Sequence, residues 1–166
     1  MRAIARMICL GGLAAALSVG PGTLAETSDV EIDADVTNVR QCLEAVRKVD
    51  SDARACVGVV AEPCLDQTAD GDDAVACFER ETDLWDGLLD DRYREVVTHF
   101  DEEAMEQFRD VHDAWEDYRS QRCALGETIF EEGSAAARVW AADCLLQETG
   151  RRAIELGSML EDFERR

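Results

Sequence analysis

Six cysteines between positions 42 and 144 are the residues of this chain with the clearest capacity for chemistry. Cysteines form disulfides, bind zinc or act as nucleophiles, and their spacing helps to separate these roles. No two of the six lie two to four residues apart, which argues against a structural zinc site. An even number in an exported protein favours disulfides, because exported compartments are oxidising. We therefore expect oxidised thiols at Cys42, Cys56, Cys64, Cys77, Cys123 and Cys144.

The spacing of the cysteines does not determine their connectivity, since six cysteines can pair in many ways. A disulfide needs Cα atoms about 4.4 to 6.8 Å apart, and a helical hairpin supplies this distance when both cysteines lie at similar distances from the turn. We therefore choose nearest-neighbour pairing across three predicted turns: Cys42–Cys56, Cys64–Cys77 and Cys123–Cys144. The alternative of Cys42–Cys77 with Cys56–Cys64 stays open, because Pro63 makes the second segment hard to place.

Other residues that could support catalysis or metal binding are not arranged in strong motifs. His112 and Glu116 lie one helical turn apart, but His99 is the only other histidine, so we expect no metal site. Segment 66–72 imitates the start of a calcium loop, yet Cys77 occupies the position of the required glutamate. The chain has no Gly-x-Ser-x-Gly nucleophile motif. We therefore expect a protein that is not an enzyme and has no cofactor.

The N-terminal segment has the features of a signal peptide. Arg2 and Arg6 precede an apolar stretch over residues 7–19, which is too short to span a bilayer comfortably. Thr23 and Ala25 then provide the small residues that a signal peptidase requires. We predict cleavage after Ala25 and a periplasmic or secreted mature protein without a membrane anchor.

The chain is strongly acidic, with a formal net charge of -20. The predicted signal peptide contains two arginines and no acid, so its removal would leave a net charge near -22. Such a surface repels nucleic acid and anionic lipid and attracts cationic partners. Adaptation to salty surroundings is an alternative origin of the charge, because Lys48 is the only lysine in a chain with many arginines. Either origin has the same electrostatic consequence for a basic partner.

The apolar residues recur at helical spacing and show no sustained alternation, so we predict an all-α, disulfide-stapled bundle of long antiparallel helices. Segment 26–35 is acidic and poor in large apolar residues, which predicts a flexible arm. The first helix should begin at Val36 and end near the turn at 50–52. A short helix should cover 53–60, and Pro63 should kink the chain or be followed by a new turn that starts at Cys64. A long helix should follow the loop at 70–73 and end near His99.

Two further helices are predicted on either side of Gly133. Asp101 should cap the fourth helix and Ser134 the fifth. Arg119 should reach an acid on a neighbouring helix. The fourth helix has an apolar stripe, mostly at three- and four-residue steps, that we expect to be buried: Met105, Phe108, Val111, Trp115, Tyr118, Leu125 and Ile129.

A motif extends through the second half of the chain. It comprises Leu89, Asp90, Tyr93, Trp115, Tyr118, Arg119, Gly133, Ser134, Leu145, Thr149, Arg152 and Leu156. Together with Cys77, Cys123 and Cys144, this motif resembles the LprI-like lysozyme-inhibitor N-terminal-domain family, over roughly Cys77 to Leu160. The resemblance implies a family domain over 77–164 and a cysteine-containing helical extension over 36–76.

The resemblance also implies a small, exported, disulfide-bonded helical protein, and the family name implies inhibition of lysozyme. An acidic surface would speed the encounter with a cationic muramidase. Blocking the cleft of such an enzyme requires donors that reach its catalytic carboxylates. The turn at 131–138, with Ser134 and Arg138, is the candidate for that contact. The alternative is a periplasmic adaptor or envelope-stress protein that binds another partner and never touches lysozyme.

Overall fold

The computed structural model describes residues 23–68 and 70–166, with side chains described from Ile32 onward. These residues are helical with no strand among them, in agreement with the predicted all-α class. The elements are α1 (Thr23–Lys48), a 3-10 helix (Ala53–Cys56), α2 (Ala61–Leu65), α3 (Gly71–Val97), α4 (Glu102–Cys123), α5 (Gly126–Ile129) and α6 (Ala135–Glu164). All but the last three positions of the predicted signal peptide, 1–25, lie outside the described residues. None of the described helices combines the length and apolarity that a membrane crossing requires.

The centre of the fold is the pair α3 and α6, which make the most extensive helix contact. Gly71 lies against Ala135 near the starts of the two helices. Further along, Nη1 of Arg92 donates to the carbonyl of Ala153 at 2.6 Å. Because the contacts proceed in the same order on both helices, α3 and α6 are parallel. The predicted antiparallel packing is provided by α4, which runs antiparallel to α6, with Phe108 near Arg152 and Cys123 bonded to Cys144.

Four helices after α1 begin with a capping side chain, and two of these caps, Asp101 and Ser134, were predicted from the sequence. Each capping side chain accepts a hydrogen bond from backbone N–H groups of the first turn, which otherwise lack partners. The pairs are Asp52 with Arg54, Asp70 with Asp72 and Asp73, Asp101 with Ala104, and Ser134 with Ala137. The starts of the 3-10 helix, α3, α4 and α6 are therefore explained by local chemistry, whereas α2 and α5 have no side-chain cap.

The first helix differs from the prediction, because it begins at Thr23 and not at Val36. Segment 26–35, which we expected to be a flexible arm, is helical in the structure. No proline or glycine interrupts residues 23–48. Asp35 is also buried and accepts a hydrogen bond from Nε of Arg80 on α3 at 2.5 Å. This ion pair holds the end of segment 26–35 against α3, although the composition of that segment predicted a flexible arm.

Two other predicted boundaries were wrong. The segment 53–60 is a 3-10 helix followed by a turn, and Pro63 lies in the first turn of α2, where a missing N–H is tolerated. The predicted fourth helix ends at Cys123, and α5 is a separate short helix. A Cβ atom at Gly126 would lie 2.8 Å from the carbonyl oxygen of Ala137. The close approach of α5 to α6 therefore requires a glycine at position 126, a constraint that hydrophobic periodicity does not show.

Three disulfides join neighbouring elements: Cys42–Cys56, Cys64–Cys77 and Cys123–Cys144. This is the nearest-neighbour pattern expected from the sequence. Their Cα–Cα distances are 5.7, 5.7 and 5.4 Å, within the normal range for a disulfide. The bonds connect α1 to the 3-10 helix, α2 to α3, and α4 to α6. Each of the four long helices is therefore covalently linked to one other element.

Candidate protein-docking site

Aromatic and basic side chains from α3, α4 and α6 meet in one cluster. The guanidinium of Arg119 lies over the ring of Trp115, with 4.8 Å between Cζ and the ring centroid. Its Nη1 donates to Oδ1 of Asp86 at 3.0 Å and to Oγ1 of Thr149 at 2.9 Å. The predicted contact between Arg119 and an acid on a neighbouring helix is confirmed. This one side chain connects α4 to both α3 and α6.

Arg152 is a second cation in the cluster and is only 6% exposed. Its Cζ lies 5.9 Å from the centroid of the Phe108 ring and 5.7 Å from that of Trp115. Nη1 donates to Oε2 of Glu155 at 2.9 Å. Nε and Nη2 have no hydrogen-bond partner within the described residues. The aromatic faces and one carboxylate therefore compensate the burial of this charge only in part.

His112 packs in the same cluster, between two aromatic rings. Its ring centroid lies 4.4 Å from that of Tyr93 and 5.4 Å from that of Trp115. Burial lowers the pKa of His112, and the positive charge of Arg152 lowers that pKa further. Glu116 Oε1 is 3.9 Å from Nε2, while Nδ1 is buried without a partner among the described residues. His112 is therefore a neutral packing residue at neutral pH.

The motif residues divide into groups with different environments. Tyr93, Trp115, Arg119, Thr149 and Arg152 meet in the cluster described above. Leu89 and Leu156 are buried in the core, and Leu145 is partly buried. Asp90 and Tyr118 are exposed, and Gly133 and Ser134 form the turn before α6. Most of the motif therefore specifies how three helices pack.

The turn at 131–138 is held by hydrogen bonds within the protein. Gly133 has a φ of +69°, a conformation that favours glycine, and its N–H donates to Oε2 of Glu127 at 2.7 Å. Arg138 donates from Nη1 to the carbonyl of Gly133 at 2.7 Å and from Nη2 to Asp72 at 2.6 Å. Ser134 serves as the cap of α6. Both side chains that we predicted for partner contact thus have structural partners, although Arg138 also faces solvent.

The outer face of α4 and α5 contradicts one sequence prediction. Val111, Tyr118, Leu125 and Ile129, expected in the buried stripe, are 56, 50, 48 and 59% exposed. The face that packs inward is formed by Phe108, His112, Trp115, Arg119 and Cys123. Val111 and Tyr118 each precede an inward residue by one position, which is about 100° around the helix. The row that packs into the interior therefore includes a histidine and an arginine, whereas the apolar row is exposed to solvent.

Glu81 is a structurally important residue that the sequence analysis treated as one of many solvated acids. It is fully buried on α3, and its carboxylate accepts hydrogen bonds from the backbone N–H groups of Gly58, Val60 and Ala61 at 2.7 to 2.8 Å. These contacts hold the turn between the 3-10 helix and α2. A signal was present in the sequence, because Glu81 occupies a core position four residues before Trp85.

Two open clefts border α1, of about 550 and 710 Å³. The first is lined by the Asp35–Arg80 ion pair and by the oxidised Cys64 and Cys77, and the second by acids and arginines around Arg92. Neither lining set contains a histidine or a free thiol. The described residues also contain no group of three or more metal-binding side chains.

The described residues define a small all-helical protein, stapled by three disulfides, whose motif side chains build a packed interior. A sequence profile of the family described as lysozyme inhibitor LprI matches residues 64–156, more than half of the chain. The chain therefore belongs to the LprI lysozyme-inhibitor family. Searches among characterised proteins and among solved structures found no match. The family match begins at Cys64, so it includes the disulfide that links α2 to α3.

Proposed function

We propose that this protein is an exported inhibitor that binds a cationic, lysozyme-type muramidase. The single observation that carries the proposal is the family match over residues 64–156, since the family is described by lysozyme inhibition. The motif cluster supports it, because Arg119, Thr149 and Arg152 form the contacts that position α4 on α3 and α6. The activity proposed is binding, and no chemical step is assigned to the chain.

The charge of the protein supports a basic partner. The net charge of -20 produces a negative field that accelerates encounter with a cationic protein and slows encounter with an anionic one. This effect depends on ionic strength, because the screening length falls from about 30 Å at 0.01 M salt to about 8 Å at 0.15 M. We therefore expect inhibition to be strongest at low salt.

The proposed location is the periplasm or the extracellular space. Three disulfides fit an oxidising compartment. The predicted signal peptide agrees with this placement. N-terminal sequencing of the protein recovered from a periplasmic or culture fraction should begin at Glu26. Recovery in the cytosol with an intact N-terminus would contradict the proposed location without affecting the binding proposal.

The turn at 131–138 remains our proposal for the contact with the enzyme cleft. The side chain of Arg138 is 44% exposed, so part of its guanidinium is open to a partner. The hydrogen bonds to Gly133 and Asp72 restrict its motion, which reduces the entropy lost on binding. Arg138→Ala should weaken inhibition if this turn enters the cleft. Unchanged inhibition by that variant would remove the turn from the proposal and leave the function standing.

A turbidity assay tests the function directly. Purified mature protein is mixed with a basic animal lysozyme at equimolar and tenfold ratios in low salt, and lysis of a bacterial cell-wall suspension is followed. We expect slower lysis that depends on the ratio. The matched control is the same protein after reduction and alkylation with iodoacetamide, which keeps the charge of the chain and removes its disulfides. The alkylated protein should inhibit much less, because a specific surface requires the fold.

Two results of this assay would contradict the proposal. Undiminished lysis at tenfold excess would exclude lysozyme inhibition and favour the adaptor alternative, in which another envelope protein is the partner. Equal inhibition by the folded and the alkylated protein would show that electrostatic attraction alone, without a folded surface, inhibits the enzyme. In that second case the acidic composition, and not the LprI fold, would explain the effect.

A further inference from the structure

An apolar row on the outer face of α4 and α5 is exposed in this acidic protein. An α-helix has about 3.6 residues per turn, so residues seven apart lie nearly in line. Val111 and Tyr118 are therefore aligned on α4, and Leu125 continues the row just past its C-terminal end. Each is about half exposed. The row is about 20 Å long and leads to Ile129 and Phe130, which are also exposed.

A second row, of carboxylates, runs beside the apolar one. Glu103, Asp110 and Asp117 are also seven residues apart, and Asp110 and Asp117 each precede an apolar row residue by one position. All three are exposed, and none forms an ion pair with the part of the chain that the structure describes. The outer face of α4 therefore carries an exposed apolar row with a row of carboxylates beside it. Tyr118 accepts a hydrogen bond from Nη1 of Arg122 at 3.2 Å, and its ring is still half exposed. Exposed large side chains grouped in this way are typical of protein-binding surfaces.

We propose that this surface, the apolar row from Val111 to Phe130 with the carboxylates beside it, is where the protein binds its cationic muramidase partner. The inference rests on the proposed function and adds the surface that performs it. The apolar row would supply the desolvated centre of the interface and the acids its charged rim. Phe130 directly precedes the turn at 131–138, so one partner could contact both.

The charge of the surface selects this partner over a second copy of the chain. Two copies docked through the same face would bring six uncompensated carboxylates from Glu103, Asp110 and Asp117 close together, within molecules of net charge -20. Like charges of this kind oppose association. A basic protein with an apolar patch experiences attraction from both rows. The acidic row also repels an anionic membrane surface.

Variants of each row separate the two contributions. The first carries Val111→Ser with Tyr118→Ser, and the second carries Asp110→Asn with Asp117→Asn. Binding of the full mature protein to immobilised basic animal lysozyme is measured by surface plasmon resonance at low and at physiological salt, beside the lysis assay. The apolar variant should bind about tenfold or more weakly through faster dissociation. The acidic variant should associate about threefold more slowly at low salt, with dissociation nearly unchanged.

Matched control variants carry the same kinds of substitution at exposed positions outside the proposed surface. Val49→Ser removes an apolar side chain that is 73% exposed after α1. Glu79→Gln with Asp83→Asn removes two exposed acids from α3, which is the same change in net charge as in the acidic variant. Both controls should bind nearly as the unchanged protein does. Circular dichroism melting should show that all variants remain folded, because every substituted side chain is exposed.

The outcomes distinguish the surface from the function. If the unchanged protein binds and both row variants bind equally well, the surface is wrong and the proposed function stands. If lysis is undiminished but binding occurs and is lost in the row variants, the surface is right and inhibition is wrong. If the unchanged protein does not bind lysozyme, both the proposed surface and the proposed function are wrong. Sedimentation that shows a dimer dissociated by Tyr118→Ser would overturn the cationic partner in favour of self-association.

Discussion

The carboxylate of Glu81 accepts a hydrogen bond from Nε1 of Trp85, one turn later on α3, at 2.8 Å. Both side chains are completely buried. The same carboxylate accepts three backbone N–H groups from the turn that precedes α2 and from its first residue. A charge in the interior is tolerated here because four donors surround it. Glu81 therefore links the cysteine-containing extension to the centre of the α3–α6 pair.

Glu81→Ala should destabilise the protein strongly. The substitution leaves three backbone N–H groups and one indole N–H buried without their acceptor, and the expected loss is about 3 kcal/mol or more. Urea unfolding followed by far-UV circular dichroism measures this difference. Glu79→Gln, two positions earlier on the exposed face of α3, should change stability by no more than about 0.5 kcal/mol. Similar unfolding midpoints for the two variants would show that the network contributes little.

The close packing of α6 against the extension should make Gly150→Ala destabilising. A Cβ atom there would lie 2.7 Å from Cγ2 of Val57, closer than packed carbon atoms allow. We expect a loss of about 1 to 3 kcal/mol. Gly87→Ala on α3 is the control, since a Cβ atom there meets nothing within 4 Å and the helix should gain about 0.5 to 1 kcal/mol. Thermal melting of both variants gives the comparison, and a stabilised Gly150→Ala would contradict the packing.

The disulfide between α4 and α6 should contribute substantially to stability. The double substitution Cys123→Ala with Cys144→Ala should lower the free energy of unfolding by about 2 to 4 kcal/mol, mainly because the unfolded chain gains freedom. Denaturant unfolding in non-reducing buffer measures the change. Peptide mapping of the unreduced protein checks the connectivity independently. Recovery of a Cys42–Cys77 peptide would contradict the pairing in the structure.

His112 should make the protein less stable as the pH falls below neutrality. Burial and the neighbouring Arg152 lower the folded-state pKa of His112 below its usual 6.5, so the unfolded chain takes up the proton more readily. The free energy of unfolding should therefore decrease as the pH falls through 6.5, and this contribution should level off below the folded-state pKa. Above pH 6.5 the contribution is absent, because the imidazole is neutral in both states.

His112→Phe isolates this effect by removing the titrating group and keeping an aromatic ring between Tyr93 and Trp115. The acids Glu116 and Asp113 and the cations Arg119 and Arg152 remain in both proteins, so their contributions largely cancel in the difference. Urea unfolding at pH 7.5, 6.5 and 5.5 should show a smaller decrease in stability for the variant. Identical decreases in the two proteins would show that His112 does not titrate in a buried state.

The sequence alone determined the helical class, the caps and the family. These features depend on near neighbours along the chain, such as Asp101 with Ala104 or Ser134 with Ala137, and local spacing is visible in sequence. The pairing of the cysteines was predictable for a related reason, because each pair flanks one turn region. The sequence also placed Arg119 on the inward face, one turn after Trp115, but its partner Asp86 lies 33 positions away in the chain and was not identified from the sequence.

Only the tertiary structure decided which of two neighbouring rows of α4 is buried. The predicted stripe combined Phe108 and Trp115, which face inward, with Val111 and Tyr118, which are exposed. Contacts with α3 and α6 bury the row that continues through His112 and Arg119, whose polar groups have aromatic or acidic neighbours there. The sequence analysis missed the buried Glu81 and the anchored Asp35 for the same reason, because their partners on other elements lie twenty or more positions away in the chain. Partners this remote are brought together by folding, and periodicity along one helix has no information about them.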